Sequence, residues 1–382
     1  MKPRSLVLTL ALAGALAGCS SVEKLNPFAA TAKSKVPELA AIKPTANVVT
    51  LWQAKAGKAS DYVFTPAAVD SSVYVADPSG VVSRLDDGKP VWKIAAGQPL
   101  SGGVGSDGRL VAVGTPKGEI LAFDAKDGKP LWKVRASADI LSAPAVTADL
   151  VVVRSGDNRL YGFDTADGKR KWVYQRSNPA LSLRNSAAPV ISERYAFAGF
   201  PGGKLVAVSL QNGAAVWEGT VALPKGVTEL DRVVDITSAP VIEGPQVCAV
   251  AYQGRVACFD LTNGSLIWAK EISSAAGLAM DNRNIYVADD KGAVHALDRY
   301  RGTSLWKQDK LAQRQLSAPR VGRGLVAVAD GKGLVHFLNR EDGSFAARVS
   351  TDGSAIQSGP QSYGSGWVVQ TQGGGVYALD VQ

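Results

Sequence analysis

The chain of 382 residues has only two histidines and three cysteines. A zinc site, or a catalytic centre built on several histidines, would therefore have almost no ligands available. Any enzyme chemistry would have to rely on Asp, Glu, Lys and Arg. Long apolar runs are also missing beyond the first nineteen residues, which argues against a multi-span membrane protein. With 46% hydrophobic and 20% charged residues, the composition is that of a folded protein rather than a disordered one.

Charge and turn-forming residues narrow the class further. Lys and Arg together number 42 against 34 Asp and Glu, but they are scattered along the chain. Nucleic-acid recognition needs clustered basic residues, so we predict no nucleic-acid partner and attribute the positive excess to solubility. Forty glycines and nineteen prolines imply many turns, and the apolar runs between them are short. Short runs between turns favour strands over helices and predict an all-β fold.

The first eighteen residues have the pattern of a secretory signal peptide. Lys2 and Arg4 give a positive start, and an apolar run extends from Leu6 to Leu16. The sequence Leu16-Ala17-Gly18-Cys19 resembles the lipobox of bacterial lipoproteins. That resemblance implies cleavage before Cys19, attachment of a diacylglyceryl group to its thiol and acylation of the new amino terminus. The alternative is a secreted protein in which this cysteine is incidental.

Residues 20–47 separate the predicted lipid anchor from the rest of the chain. They are rich in Ala, Lys and Pro without a strong period, which indicates a flexible tether with a reach of roughly 30 Å. In lipoprotein sorting in Gram-negative bacteria, which the signal resembles, Asp after the cysteine retains a protein at the inner membrane. Ser20 stands there instead and implies the outer membrane. We therefore expect a protein that is anchored to the outer membrane by lipid and faces the periplasm.

From residue 48 onward one pattern occurs eight times. A complete copy contains a small-residue strand often reading Ser-Ala-Pro, an apolar strand, a strand ending in an acid or its substitute, and a Trp strand. The third strands end at Asp86, Asp124, Asp164, Ser209, Asp260, Asp298, Asn339 and Asp380. The fourth strands contain Trp92, Trp132, Trp172, Trp217, Trp268 and Trp306, with Ala347 at this position in the seventh copy.

Four strands per copy at a period of about 40 residues are typical of β-propeller blades. The eighth copy ends after three strands, whereas the segment around Trp52 has the pattern of a Trp strand without a blade. We therefore predict an eight-bladed β-propeller with four antiparallel strands per blade. The amino-terminal strand would join the carboxyl-terminal blade and close the ring. The predicted domains are a signal peptide at residues 1–18, the lipidated cysteine and tether at 19–47, and a single propeller at 48–382.

Most of the conspicuous side chains have structural explanations within such blades. Asp-Gly and Asn-Gly pairs suit the tight turn before the Trp strand, and the tryptophans are expected to fill the space between neighbouring blades. Trp367 lies on a different strand and is also expected in the core. His295 and His336 occupy a position that is Leu or Val in other copies. Because such a position serves packing, we expect no catalytic or metal-binding role for either histidine.

Cys248 and Cys258 lie on two candidate strands of one hairpin. With a three-residue loop at residues 252–254 the two cysteines face each other, and an oxidising periplasm would allow a cross-strand disulfide. A loop one residue longer or shorter would direct them to opposite faces of the sheet. The sequence leaves both arrangements open.

The connections between copies are where we expect a partner to bind, because the strands are committed to the fold. Most connections from the Trp to the next inner strand span 7–11 residues, but residues 172–186 and 217–238 span 14 and 21. Consecutive connections of this kind lie side by side on one rim of a propeller. The first contains Leu181, Leu183 and Arg184, and the second contains the stretch from Glu229 to Asp235, in which acids are mixed with apolar residues. Apolar side chains surrounded by charge are suited to binding a protein partner. The alternative is that these connections fold over their own blades and bury the two leucines.

The repeats FDAKDGKPLW and FDTADGKRKW, which end at Trp132 and Trp172, resemble the tryptophan-docking repeats of quinoprotein propellers. Quinoprotein dehydrogenases usually carry adjacent cysteines near their cofactor, whereas Cys248 and Cys258 are ten residues apart. The chain also lacks the long insertions that build a substrate funnel. We therefore predict no enzyme activity and no cofactor. The alternative is a quinoprotein-like periplasmic dehydrogenase or a propeller that binds a small ligand in its central channel.

Eight such blades behind a lipoprotein signal and a short tether resemble the BamB family of outer-membrane assembly factors. The resemblance implies a non-catalytic scaffold of the β-barrel assembly (BAM) complex that assists delivery, folding and insertion of outer-membrane β-barrel proteins. It implies contact with the POTRA domains of BamA through Leu181, Leu183, Arg184, Asp231 and Asp235, with unfolded outer-membrane proteins as further partners. Thr237 stands where the family often has another acid. A third interpretation is an envelope adaptor with a different partner.

Overall fold

The computed structural model describes residues 36–177 and 179–382. The predicted signal peptide and the predicted lipid-attachment residue Cys19 lie outside the described residues, as does Asn178 in the first long connection. Every regular element in the described part is a β-strand, and the strands form eight sheets of four. None of the described residues belongs to a helix long and apolar enough to cross a membrane.

Each sheet is one blade of a ring and contains four antiparallel strands in succession from the centre outward. The innermost strands are β2 (Ala67–Val69), β6 (Gly102–Ser106), β10 (Ala145–Val146), β14 (Val190–Ser192), β18 (Val241–Glu243), β22 (Gly277–Met280), β26 (Arg320–Gly322) and β30 (Gln361–Tyr363). The second strands are β3 (Ser72–Ala76), β7 (Leu110–Gly114), β11 (Leu150–Arg154), β15 (Tyr195–Phe200), β19 (Gln246–Val250), β23 (Asn284–Ala288), β27 (Leu325–Ala329) and β31 (Gly366–Gln370).

The third and fourth strands complete the blades. The third strands are β4 (Val81–Asp86), β8 (Glu119–Asp124), β12 (Leu160–Asp164), β16 (Lys204–Ser209), β20 (Val256–Asp260), β24 (Val294–Asp298), β28 (Leu334–Asn339) and β32 (Gly375–Val381). The outermost strands are β5 (Lys89–Ala95), β9 (Pro130–Arg135), β13 (Arg170–Tyr174), β17 (Ala215–Thr220), β21 (Leu266–Lys270), β25 (Ser304–Gln308), β29 (Phe345–Ser350) and β1 (Val48–Lys55). Blades 1 to 7 follow the chain from β2 to β29, and blade 8 combines β30, β31 and β32 with β1.

The two chain ends share blade 8. β1 pairs antiparallel with β32, from Val48 opposite Val381 to Lys55 opposite Gly375. Trp52 of β1 covers the turn glycine of blade 1, and its Nε1 donates a hydrogen bond of 3.3 Å to the Tyr363 hydroxyl. The predicted eight-bladed ring and its closure by the amino-terminal strand are therefore confirmed.

The middle strands form the core because both of their faces pack against neighbouring blades. β7 and β11 are buried along their whole length, whereas β9 alternates exposed with half-buried residues. One apolar cluster joins Tyr74 and Val82 of blade 1 to Val111 and Phe123 of blade 2. Burial on both faces explains why the middle strands have continuous apolar sequences rather than alternating ones.

Six tryptophans join neighbouring blades in the same way. The indole Nε1 of each one donates to the backbone carbonyl that directly follows the last residue of the third strand in the next blade. The pairs are Trp92 with Ala125, Trp132 with Thr165, Trp172 with Leu210, Trp217 with Leu261, Trp268 with Arg299 and Trp306 with Arg340, at 2.7–3.1 Å. The predicted role of these tryptophans between blades is confirmed.

A glycine in the turn of the next blade makes room for each of these indoles. Gly128 has a φ of +75°, and an added Cβ would lie 3.1 Å from the Trp92 ring. Asp124 begins the same turn, and its Oδ1 accepts a hydrogen bond of 2.7 Å from the Lys126 amide. Asp-Gly pairs therefore recur because the turn needs both a side-chain acceptor and a residue that tolerates a positive φ.

Blade 7 has no tryptophan on its outer strand. Ala347 is buried there, and the fully buried Trp367 of β31 lies in the same apolar cluster. The Trp367 ring packs against Phe337 with ring centroids 5.0 Å apart. Trp367 of blade 8 also lies against Gly322 of the innermost strand of blade 7, and its expected core position is confirmed.

The cysteine pair adopts the facing arrangement. Cys248 on β19 lies opposite Cys258 on β20, and the two form a disulfide. The loop between the strands has the three residues that this register needs, since the Ala251 amide donates to the Arg255 carbonyl at 3.1 Å. The cross-strand disulfide, one of two arrangements that the sequence left open, is confirmed.

Each histidine hydrogen-bonds an aspartate six residues earlier. His295 Nε2 lies 2.8 Å from Asp289 Oδ2, and the fully buried His336 Nε2 lies 2.9 Å from Asp330 Oδ2. Arg314 Nε also donates to this Asp330 oxygen, at 2.5 Å. Burial alone would raise the pKa of Asp330, but hydrogen bonds led by that from His336 outweigh burial and lower the pKa to about 2. The histidines therefore serve structural polar networks as well as packing.

The end of the predicted tether contacts blade 7. Arg314 Nη1 donates a hydrogen bond of 3.4 Å to the Pro37 carbonyl, and Arg348 Nη1 donates one of 3.3 Å to the Ala40 carbonyl. Leu39 packs against the apolar cluster between blades 6 and 7. The compact unit accordingly begins at Pro37, eleven residues before the predicted start of the propeller at residue 48.

Candidate partner-binding site

Two long loops lie side by side on one rim of the propeller. The first long loop, residues 175–189, connects β13 to β14, and the second long loop, residues 221–240, connects β17 to β18. Both run from an outermost strand to the innermost strand of the next blade, and they enter the consecutive blades 4 and 5. We call the surface formed by these two loops the docking rim.

Asp235 fastens the two long loops to each other. Its side chain is fully buried, Oδ2 accepts a hydrogen bond of 2.6 Å from the Leu183 amide, and Oδ1 accepts one of 3.1 Å from the Gly202 amide. The Asp235 carbonyl accepts a further bond of 2.8 Å from the Tyr252 amide. The family resemblance implied a direct partner contact for Asp235. Its burial instead gives it a positioning role, because a carboxylate enclosed by backbone amides is not available to another molecule.

The candidate residues of the first long loop are accessible. Leu181 is 45% exposed and Leu183 is 37% exposed, so the loop does not bury its two leucines. The Arg184 side chain is largely exposed, and its Nη2 lies 3.0 Å from Asp139 Oδ2. Two apolar side chains beside a guanidinium match the composition of binding hot spots, which are rich in Arg and surrounded by a polar rim.

The second long loop is exposed at its tip and buried at its base. Asp231 at the tip is exposed, and its Oδ2 accepts a hydrogen bond of 3.2 Å from the Thr228 amide. Hydrogen bonds from the Thr228 side chain and amide hold the pKa of Asp231 below its usual range. Val233 and Val234 are buried at the base of the loop. The structure therefore brings Asp231 to the docking rim as a charged surface group.

Three exposed apolar residues of the second long loop were not among the predicted site residues. Leu223, Val227 and Leu230 are all exposed, and Val227 reaches 97%. Their only sequence signal is their position in a connection of 21 residues. Thr237, at the position where an acid was expected, donates its hydroxyl to the Ala275 carbonyl at 3.0 Å. The docking rim thus carries more apolar surface and less negative charge than the sequence predicted.

The central channel has a different character. The small-residue inner strands line a space of about 990 Å³, and Glu243 and Arg320 are the charged residues among the described residues that line it. The Arg320 guanidinium donates to the Pro360 carbonyl at 3.2 Å and to Gln361 Oε1 at 3.0 Å. Over residues 36–177 and 179–382, no group of three or more His, Cys, Asp or Glu side chains is placed to hold a metal ion. The docking rim, by contrast, combines exposed apolar residues with the charged side chains of Arg184 and Asp231.

Comparison with known proteins places the chain among assembly factors. A family model described as outer membrane protein assembly factor BamB matches residues 78–308 and 291–382. The BamB of Pseudomonas aeruginosa is 44% identical over 380 residues, with 98% of both chains covered. The BamB of Bordetella pertussis is 43% identical over 363 residues, covering 94% of this chain and 92% of the relative. That of Escherichia coli is 33% identical, with 95% of both chains covered.

Solved structures agree with this assignment. The crystal structure of BamB from Moraxella catarrhalis matches with a TM-score of 0.82 at 28% identity, covering 87% of this chain and 100% of that one. A quinohemoprotein alcohol dehydrogenase from Comamonas testosteroni matches with a TM-score of 0.70 at 13% identity, covering 87% and 76%, which shows a shared fold alone. The prediction of a protein that is not an enzyme is confirmed by these assembly-factor relatives. The chain belongs to the BamB family of outer membrane protein assembly factors.

Proposed function

We propose that the protein is a non-catalytic scaffold of the BAM complex, and that it binds the POTRA domains of BamA through its docking rim. The observation that carries the proposal is the exposed group Leu181, Leu183 and Arg184, which the buried Asp235 holds in place on a BamB-family propeller. Holding an exposed apolar group in one conformation lowers the entropy cost of binding. The role of the scaffold is to keep the POTRA array in an arrangement that favours delivery, folding and insertion of outer-membrane β-barrel proteins.

The cellular location proposed for this function is the periplasmic face of the outer membrane. Lipid attachment at Cys19 would hold the protein there, with Ser20 as the sorting residue. The disulfide between Cys248 and Cys258 supports an oxidising compartment, since structural disulfides rarely persist in the cytosol. Unfolded outer-membrane proteins are the proposed clients, brought near BamA by the scaffold.

The decisive experiment combines Leu183→Ala with Arg184→Ala and measures co-purification with BamA from detergent-solubilised membranes. Both side chains are exposed, so the variant should unfold within about 2 °C of the unchanged protein while capturing at least tenfold less BamA. Truncating one hot-spot side chain typically removes about 2 kcal/mol or more of binding energy.

A matched control uses an equally exposed pair away from the docking rim. Leu131 is 48% exposed on the outermost strand β9, and Arg135 lies on the same strand. The Leu131→Ala, Arg135→Ala variant should retain BamA fully. Equal capture of BamA by the docking-rim variant and the unchanged protein would refute the site.

A further inference from the structure

A cavity of about 310 Å³ opens beside the docking rim. Three segments form its wall: the connection from β9 to β10, the turn between β11 and β12, and residues 182–185 of the first long loop. We call it the rim cavity. Leu183 and Arg184, which belong to the proposed partner-binding group, are among its lining residues. A partner that covers these two side chains therefore also covers the cavity.

Arg154, at the end of β11, provides a buried positive charge in the wall of the rim cavity. The residue is 5% exposed, and its guanidinium lies 5.4 Å from the centre of the Phe200 ring. Nη1 donates to Asn185 Oδ1 at 3.2 Å and Nη2 donates to Asn158 Oδ1 at 2.6 Å. Both hydrogen-bond acceptors are neutral amides. A buried guanidinium is usually bonded to a carboxylate, so this one retains capacity for an anion.

Two positive residues, Arg154 and Arg184, and one negative residue, Asp139, line the rim cavity, and the buried Asp235 lies near Arg154 without lining the cavity. Asp139 also lines the cavity, but its carboxylate is engaged with Arg184 at 3.0 Å. Burial lowers the pKa of Arg154 to about 10, and the nearby Asp235 opposes this effect. Arg154 therefore keeps its proton at neutral pH. Both Asp235 oxygens accept backbone amides, and no carboxylate among the described residues hydrogen-bonds the Arg154 guanidinium.

Ser142 adds an unused hydrogen-bonding group to the same wall. The residue is 4% exposed, and its Oγ has no partner among the described residues. The corresponding Ser101 of the preceding blade is satisfied, since its Oγ donates to the Ile140 carbonyl at 2.7 Å. A buried hydroxyl without a hydrogen-bond partner is destabilising unless a ligand or a water molecule forms a hydrogen bond with it. Its position in a cavity that also contains Arg154 points to an anionic ligand.

We propose that the rim cavity binds a carboxylate, supplied by a glutamate or aspartate side chain of the protein that docks on the rim. This inference rests on the proposed function. The planar guanidinium of Arg154 suits a carboxylate, and the Ser142 hydroxyl supplies a second donor. A volume of about 310 Å³ is at the small end of ligand sites, which fits one inserted side chain better than a large cofactor. The Leu181 and Leu183 side chains would then contact apolar residues around the inserted acid.

The test uses small probes and does not require the partner. N-acetylglutamate N-methylamide is titrated into the protein against its glutamine counterpart, and backbone amide shifts of Gly156 and Asn158 are followed by NMR. The glutamate probe should give saturable shifts, and the glutamine probe should give none because it lacks the charge. Ser142→Ala should lower the affinity for the glutamate probe about tenfold, which corresponds to the loss of one hydrogen bond to a charged group.

Ser238→Ala provides the matched control. Ser238 occupies the equivalent position of blade 5, its Oγ is also without a partner among the described residues, and it lines the central channel instead of the rim cavity. Ser238→Ala should leave probe binding unchanged, and neither serine variant should lower the melting temperature, because neither removes an existing hydrogen bond. Arg154→Gln should abolish binding of the glutamate probe, with near-ultraviolet circular dichroism used to verify its fold.

Three results would overturn the carboxylate site: equal binding of both probes, equal weakening by the two serine variants, or tighter binding of inorganic phosphate than of the glutamate probe. These failures are distinguishable from failure of the proposed function. The probes could fail to bind while the Leu183→Ala, Arg184→Ala variant still captures less BamA. That outcome would support the docking rim as the BamA-binding surface and would reject the rim cavity as a carboxylate site.

Discussion

Asp235 is a residue whose role depends on chain segments far away in sequence. The mixture of acids and apolar residues around it predicted a surface position. Its carboxylate is instead buried and accepts hydrogen bonds from the backbone amides of Leu183 and Gly202, which are 52 and 33 residues away in sequence. Local composition indicated the two long loops and the exposed neighbours Leu181 and Arg184 as a candidate surface. It contains no information about which acid of the loop points inward, because that depends on how two separate loops pack.

Replacing Asp235 tests this positioning role. In Asp235→Ala, the Leu183 and Gly202 amides lose a charged acceptor, which should lower the free energy of unfolding by about 2–3 kcal/mol. The Leu183 amide should exchange its hydrogen at least tenfold faster, and BamA capture should fall although no contact residue has changed. Urea denaturation and hydrogen exchange detected by mass spectrometry measure the two effects.

Asp231→Asn provides the control for Asp235→Ala in the same loop. Asp231 is exposed and bonded to Thr228, so its replacement should leave the exchange rate of the Leu183 amide unchanged. An Asp235→Ala protein that captures BamA normally would show that the first long loop keeps its conformation without this carboxylate.

At the scale of strands and loops, the repeat predicted the strands of each blade and their order, but not the residue at which the compact unit begins. Each copy supplied the same cues for four strands, so the strand order could be assigned copy by copy. The start of the compact unit was not predictable, because residues from Pro37 onward lack strand periodicity and contact blade 7 through Arg314 and Arg348. The cysteine register was predictable only as one of two alternatives, since it depends on a single residue of loop length.

Removing the disulfide tests its contribution to this hairpin. Replacing Cys248 and Cys258 together with Ala should lower the free energy of unfolding by about 2–3 kcal/mol, the value expected for a closed loop of this length. BamA capture should not change, because the pair lies inside blade 5. The measurement is urea denaturation with and without reductant.

Reductant should destabilise the unchanged protein and have no effect on the double variant. If the unfolded, unreduced chain from residue 20 onward shows two reactive thiols, the disulfide does not form in solution.

At the scale of the whole molecule, ring closure was predictable because an incomplete copy at one end matched a single strand at the other. The exception was blade 7, where Ala347 replaces the tryptophan. The sequence does not indicate that Trp367 of blade 8 belongs to the same apolar cluster as Ala347, since this packing crosses from one blade to the next. The repeat pattern therefore predicts the strands within each blade but not every side-chain contact between neighbouring blades.

Removal of residues 36–55 tests the closure. The protein would lose β1 and with it Trp52, leaving β32 as an unpaired edge. We expect the free energy of unfolding to fall by at least about 3–5 kcal/mol, the range for deleting one large aromatic side chain, and the exposed edge to promote self-association. Urea denaturation and size-exclusion chromatography measure both effects.

Removal of residues 36–47 alone serves as the control, because it keeps β1 in place. This shorter deletion should cause a much smaller loss of stability and leave the protein monomeric. A monomeric protein of unchanged stability after the longer deletion would show that the ring does not need its amino-terminal strand.

If the chain is exported as proposed, the pairing of β1 with β32 also sets the order of events during export. β1 would emerge early and its partner β32 late, since Val48 and Val381 are separated by 333 positions. The ring would then stay open until translocation is complete, and two strand edges would remain unpaired throughout that interval. Periplasmic chaperones that shield strand edges would be most needed in this interval, and a ribosome or translocon stall late in the chain would release a propeller that cannot close.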